Sequence, residues 1–128
     1  MAKSKLRILY GEGDEDILKA QAATFEKAGH SVQTALGRKA VDEAIRKSAF
    51  DLVMLGATLT RNDRHHLPYM VKKVSTETKV LVMHADGTRH PYADACTDTG
   101  ASMESVLNRI EAMNLTGTMR AAAAAAGR

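Results

Sequence analysis

The sequence predicts one doubly wound α/β domain, a five-stranded parallel sheet between two helical layers. Three observations carry that expectation. Apolar runs of strand length alternate with amphipathic stretches of helical period. The connections between them are short, which favours right-handed β-α-β units and a sheet covered on both faces. At 128 residues, the chain has room for one domain only.

The elements follow in order. Leu6-Arg7-Ile8-Leu9-Tyr10 is a short apolar run that Gly11 closes, as a buried strand would be. Ile17, Leu18, Ala22 and Phe25 recur at helical spacing, and Gly29 supplies the stop. Asp14, Glu15 and Asp16 crowd the start of that helix, where its dipole favours carboxylates. Ser31 to Leu36 reads as a second strand, and Gly37 turns the chain into a helix striped by Ala40, Val41, Ala44, Ile45 and Ser48. Phe50 to Leu55, apolar apart from Asp51, is a third strand with both faces covered. Leu67, Met70, Val71 and Val74 mark a third helix. Pro68 fits its first position, leaving Arg61 to His66 as loop. Val80 to Met83 is the fourth strand, Ala93 to Thr97 a weaker fifth, and Met103, Val106, Leu107, Ile110 and Met113 a final helix ending near Leu115. This divides the chain into a domain over 1–115 and an alanine-rich tail over 116–128, a frayed or helical extension.

Composition narrows the function. Hydrophobic residues are 45% and charged residues 26%, which is ordinary for a globular domain. Aromatics are only 4%, so the core must be aliphatic. A net charge of +3 is too even for a dedicated nucleic-acid surface. The lone Cys96 excludes an intramolecular disulfide and a cysteine-rich zinc site. No apolar run approaches the roughly 18–20 residues of a membrane span, and Met-Ala-Lys-Ser-Lys lacks the apolar stretch of a signal peptide. The expectation is a cytoplasmic domain with no cofactor and no direct contact with nucleic acid or membrane.

In sheets of this kind, chemistry collects at the carboxyl ends of the strands. Here those ends are Gly11 to Asp14, Gly56 to Thr60 and His84 to Gly87. Three runs bear on a family: Arg7-Ile8-Leu9-Tyr10-Gly11-Glu12-Gly13-Asp14, Phe50-Asp51-Leu52-Val53-Met54-Leu55-Gly56, and Val80-Leu81-Val82-Met83-His84-Ala85. In order and spacing the chain resembles, from about Leu6 to Leu115, the receiver domain of bacterial two-component response regulators, with its CheY-like, flavodoxin-like fold.

The resemblance implies a phosphorylation pocket, and the pocket's residues have changed. Family receivers hold Mg²⁺ on an acidic pair after the first strand and phosphorylate an aspartate ending the third. A Thr or Ser ends the fourth, and a Lys follows the fifth. In this chain Glu12 and Gly13 stand at the acidic pair, with Asp14 next. Gly56 stands at the phosphoacceptor, His84 at the Thr/Ser position, and Asp98-Thr99-Gly100 where the Lys belongs. An acyl phosphate needs a carboxylate nucleophile, and glycine has none. Only Ala85 to Tyr92 join the fourth strand to the fifth, so the family's fourth helix is expected to be missing or reduced to a turn. The implied role is a non-catalytic signalling module in a phosphorelay-type pathway. Its partner would be a protein, a sensor kinase or an output protein, and a homodimer is compatible with it. The expected contact is the edge formed by Ala93, Asp94, Cys96 and Asp98 with Met103 and Asn108 of the last helix.

Gly11-Glu12-Gly13 begins like a dinucleotide motif, but Asp16 replaces the third glycine, and the acidic helix start would repel a pyrophosphate. Arg61, Arg64, Lys72 and Lys73 read as the solvated face of the third helix. The main alternative is a small-ligand or metal-binding domain, conceivably an enzyme, using Glu12, Asp14 and His84 as a nitrogen–oxygen donor set.

Overall fold

The computed structural model describes residues 6–83, 92–97 and 102–112. The strands are β1 (Arg7–Glu12), β2 (Ser31–Leu36), β3 (Leu52–Leu55), β4 (Lys79–Val82) and β5 (Ala95–Cys96). The helices are α1 (Glu15–Lys27), α2 (Gly37–Lys47), α3 (Arg61–Val74) and α4 (Met103–Ala112). All strand pairs are parallel, in the order β2-β1-β3-β4-β5. The chain therefore winds outward to β2, then reverses across β1 to β3. The loops after β1 and β3 flank that reversal, where a crevice is expected in such a sheet.

Strand alternation sorts the core into two halves. Leu9, Val53, Leu55, Val80 and Val82 pack beneath α2 and α3 with Val41, Ile45, Leu67 and Val71. Ile8, Tyr10, Leu52, Met54 and Leu81 face α1 and α4, against Leu18, Phe25, Val106 and Ile110. Each buried aliphatic side chain contributes about 1.5–3 kcal/mol. On the α1 side the Tyr10 and Phe25 rings meet edge to face, 5.2 Å apart.

Helix ends follow the sequence signals. Asp14 caps α1, its Oδ1 accepting from Ile17 N–H at 3.1 Å. Gly29, at φ +104°, ends α1 in a left-handed conformation. Its N–H donates to the Glu26 carbonyl at 3.0 Å and that of His30 to Phe25 at 3.3 Å, a Schellman closure.

Three expectations about the elements are corrected. Gly11 does not end β1: the strand runs on to Glu12, with Gly11 opposite Ala35 and Leu55. The glycine is needed there because a Cβ would lie 2.5 Å from Val41 Cγ2. Arg61 to His66 are helix, not loop, and Pro68 sits buried inside α3. Thr60 makes the early start workable by capping with Oγ1, which accepts from Asp63 N–H at 3.1 Å. Pro68 then forfeits one helical hydrogen bond, to the Arg64 carbonyl. The fifth strand is only Ala95–Cys96, although Asp94 and Thr97 N–H groups continue its bonding to the Val80 and Val82 carbonyls, each at 2.9 Å. The expected reduced helix between the fourth and fifth strands, and the tail over 116–128, lie outside the described residues.

Candidate functional site

The crevice between the ends of β1 and β3 is filled by Glu12. Its side chain turns inward from the last position of β1 and is 1% exposed. A Cβ placed on Gly56 would lie 1.8 Å from Glu12 Cδ and within 2.1 Å of both carboxylate oxygens. The carboxylate thus occupies the space that a side chain at position 56 would take.

The surroundings hold it there. Oε1 accepts from the Thr58 N–H at 2.9 Å and from the Thr58 hydroxyl at 2.6 Å. Oε2 accepts from the buried Tyr10 hydroxyl. That hydroxyl also meets Gln21 of α1. Burial, and then donation to the Glu12 carboxylate, push the Tyr10 phenol well above its ordinary pKa. The shift favours the protonated phenol, the form that donates to Glu12.

Thr58 is the knot between the two loops. Besides donating to Glu12, its Oγ1 accepts from Gly13 N–H at 2.8 Å and Asp14 N–H at 3.0 Å. Those bonds use the full capacity of a hydroxyl, one donor and two acceptors. Gly13 is required by the same closeness, since a Cβ there would lie 2.3 Å from the Thr58 carbonyl oxygen. Arg64, only 7% exposed, fastens the far side of the β3–α3 loop by donating to the Ala57 and Leu59 carbonyls.

The residues expected to form the pocket are thus partly gathered. Glu12, Gly13 and Gly56 lie together at the ends of β1 and β3, as a packed cluster closed by Thr58. Asp14 is exposed and serves as a helix cap. His84 lies outside the described residues. Among the described residues, no group of three or more His, Cys, Asp or Glu side chains is placed to hold a metal ion.

The expected partner residues fall on both sides of the sheet. Ala93 and Cys96 are partly buried against the α2–α3 half of the core. Asp94 is tied into the fold: its Oδ2 accepts from Lys72 Nζ at 2.7 Å and Val80 N–H at 2.8 Å, with Lys79 Nζ 3.8 Å from Oδ1. Asn108 is exposed on α4, on the opposite side. Asp98 and the Met103 side chain lie outside what is described.

Two cations read as solvated are not. Arg64 is buried, and Lys72 Nζ donates to the Thr78 carbonyl at 2.7 Å as well as to Asp94. The sequence does not mark Tyr10, Gln21 or Arg64 as a site residue, and it reaches Thr58 only as part of the Gly56 to Thr60 segment. The one available signal was a hydroxyl two positions after a strand-end glycine. Also unanticipated is an exposed aromatic pair, Tyr69 of α3 and Tyr92 before β5, with ring centroids 5.3 Å apart.

No family model matches the sequence, and no curated protein matches it. Solved structures do. The chain is similar to a CheY-like response regulator receiver domain protein from Methanospirillum hungatei, at TM-score 0.76 and 20% identity, over 87% of this chain and 95% of that one. It is similar to the chemotaxis response regulator CheY4 of Vibrio cholerae, at TM-score 0.74 and 14% identity, over 86% and 99%. A chain described as an adenylate cyclase from Rhodopirellula baltica matches at TM-score 0.73 and 16% identity, over 84% and 85%. At these identities the likeness establishes the fold, that of CheY-like receiver domains.

Proposed function

We propose that this chain is a receiver-like signalling module that acts by protein–protein contact and accepts no phosphoryl group. The observation that carries this reading is the Glu12 carboxylate seated against Gly56. Position 56 has no nucleophile, and the space a phosphoryl group would need there is taken by a carboxylate that Thr58 and Tyr10 hold in place. Glu12 is itself no substitute acceptor, because it is 1% exposed and its oxygens are engaged. We assign the chain no catalytic step and no cofactor.

With its two loops tied by Thr58, the module works in one state, recognised by a sensor kinase or an output protein. The contact surface is the β5 edge with α4, where the exposed rings of Tyr69 and Tyr92 and the side chain of Asn108 are available. Tyrosine is among the residues enriched where partners dock. The metal-binding alternative draws less support, because Glu12 is turned inward and Asp14 caps α1.

The test is intact mass after incubation with acetyl phosphate and Mg²⁺. The expected spectrum is unchanged. A Mg²⁺-dependent gain of one phosphoryl group overturns the reading.

A further inference from the structure

The two lateral edges of the sheet differ in how they meet solvent. Sheet edges are ordinarily guarded against pairing by extreme shortness, charge, proline or a bulge. The β5 edge is only two residues long and has the Asp94–Lys72–Lys79 charges beside it. The β2 edge, Ser-Val-Gln-Thr-Ala-Leu, carries no charge and no proline. Its six residues match β1 one for one, so no bulge interrupts them. Among the described residues, no strand lies on its outer side.

The hydrogen-bonding direction along β2 is fixed by one contact. Ser31 N–H donates to the Leu6 carbonyl at 2.8 Å, so the backbone groups of Ser31, Gln33 and Ala35 turn toward β1. Those of Val32 and Thr34 point outward, as does the Leu36 N–H, while the Leu36 carbonyl enters the first turn of α2. Their side chains share the α1 side, where Val32 is packed against the core while Leu36 is 47% exposed.

We propose that the β2 edge pairs with β2 of a second copy of this chain, antiparallel across a two-fold axis at Thr34, joining the two sheets into one. In that register Thr34 faces Thr34 of the second copy and exchanges both backbone hydrogen bonds, and Val32 faces its Leu36, whose N–H donates to the Val32 carbonyl. The half-exposed Leu36 is covered by an apolar neighbour, and no pair along the strand sets like charges opposite each other. The occupant is a second copy because an uncharged strand is self-complementary. One unguarded edge per chain also gives a closed pair instead of a fibre. This inference is independent of the reading of the Glu12 site.

Sedimentation equilibrium on the full chain tests it. The expected result is a doubled mass that reverts to monomer on dilution. Thr34→Pro removes an outward N–H without touching the β1 ladder. Leu36→Lys sets a charge opposite Val32. Both variants should be monomeric, with far-UV circular dichroism like the parent. Tyr92→Lys, at the other edge, should keep the doubled mass. If Thr34→Pro fails to fold, Leu36→Lys decides. A monomer at every concentration overturns the proposal, as does a dimer that neither β2 variant disrupts. Loss of the dimer in Tyr92→Lys overturns it too.

Discussion

At the carboxyl end of the sheet, Glu12 fills the space in front of Gly56 and is bonded by Tyr10 and Thr58. At the amino end, a cavity of about 270 Å³ opens between the C-termini of α2 and α3, over Phe50, Val53 and Val71. The described surroundings of Glu12 are packed, whereas the amino-end cavity has an apolar floor with Ser48, Ser75 and Thr78 around it. A glycine at position 56 thus does not leave a hole. The space in front of Gly56 is filled by a side chain from the neighbouring strand, and interiors tolerate few voids.

The contrast can be broken most violently by Gly56→Asp. Its Cβ alone would collide with Glu12, and two carboxylates would share one dry crevice. A loss of about 3–5 kcal/mol is expected in urea denaturation. The variant should also remain unphosphorylated while Glu12 is in place. Tyr10→Phe comes next, at about 1.5–3 kcal/mol, the cost of removing a hydrogen bond to a charged group. Thr58→Val keeps the volume and deletes the hydroxyl joining the loops. A cost of about 1–2 kcal/mol is expected, with faster amide hydrogen exchange at Gly13 and Asp14. Least of all, Ala49→Val at the rim of the amino-end cavity should stay within about 0.5 kcal/mol, since an exposed residue there gains room-filling atoms without a clash.

Alkaline pH sharpens the same comparison. Because the Tyr10 pKa is raised in the folded state, the fold holds that proton more tightly than the unfolded chain, whose phenol titrates near ~10. The stabilisation is complete below that pH and declines as pH climbs above it. Stability measured from neutrality upward should fall in that window, and Tyr10→Phe should flatten the decline.

Much of the fold was legible because parallel strands buried on both faces are nearly pure apolar runs, as Leu52–Leu55 and Val80–Val82 are. Gly29 was legible as a stop because a left-handed closure demands glycine. The start of α3 was not legible because Pro68 is a strong local signal for a later one, while the Thr60 cap that outweighs it is a weak signal. Gly11 looked like punctuation, yet it serves packing against Val41. Of the site, the positions Glu12, Gly13 and Gly56 were legible at the strand ends, but not the contacts that hold Glu12. Glu12 and Thr58 lie 46 positions apart, and only the β1–β3 pairing brings them together. Arg64 looked like one cation on a solvated face because periodicity cannot show a loop folding back over a helix.

The central claim, that Glu12 stands in the space of a side chain at position 56, is tested most directly by a double-mutant cycle of Gly56→Ala with Glu12→Ala, read by urea denaturation. In the parent chain the added methyl group should cost about 1–3 kcal/mol, as overpacking does. With Glu12 trimmed to alanine, the same methyl group should cost close to nothing. Equal costs in the two backgrounds would mean that the carboxylate does not fill that space.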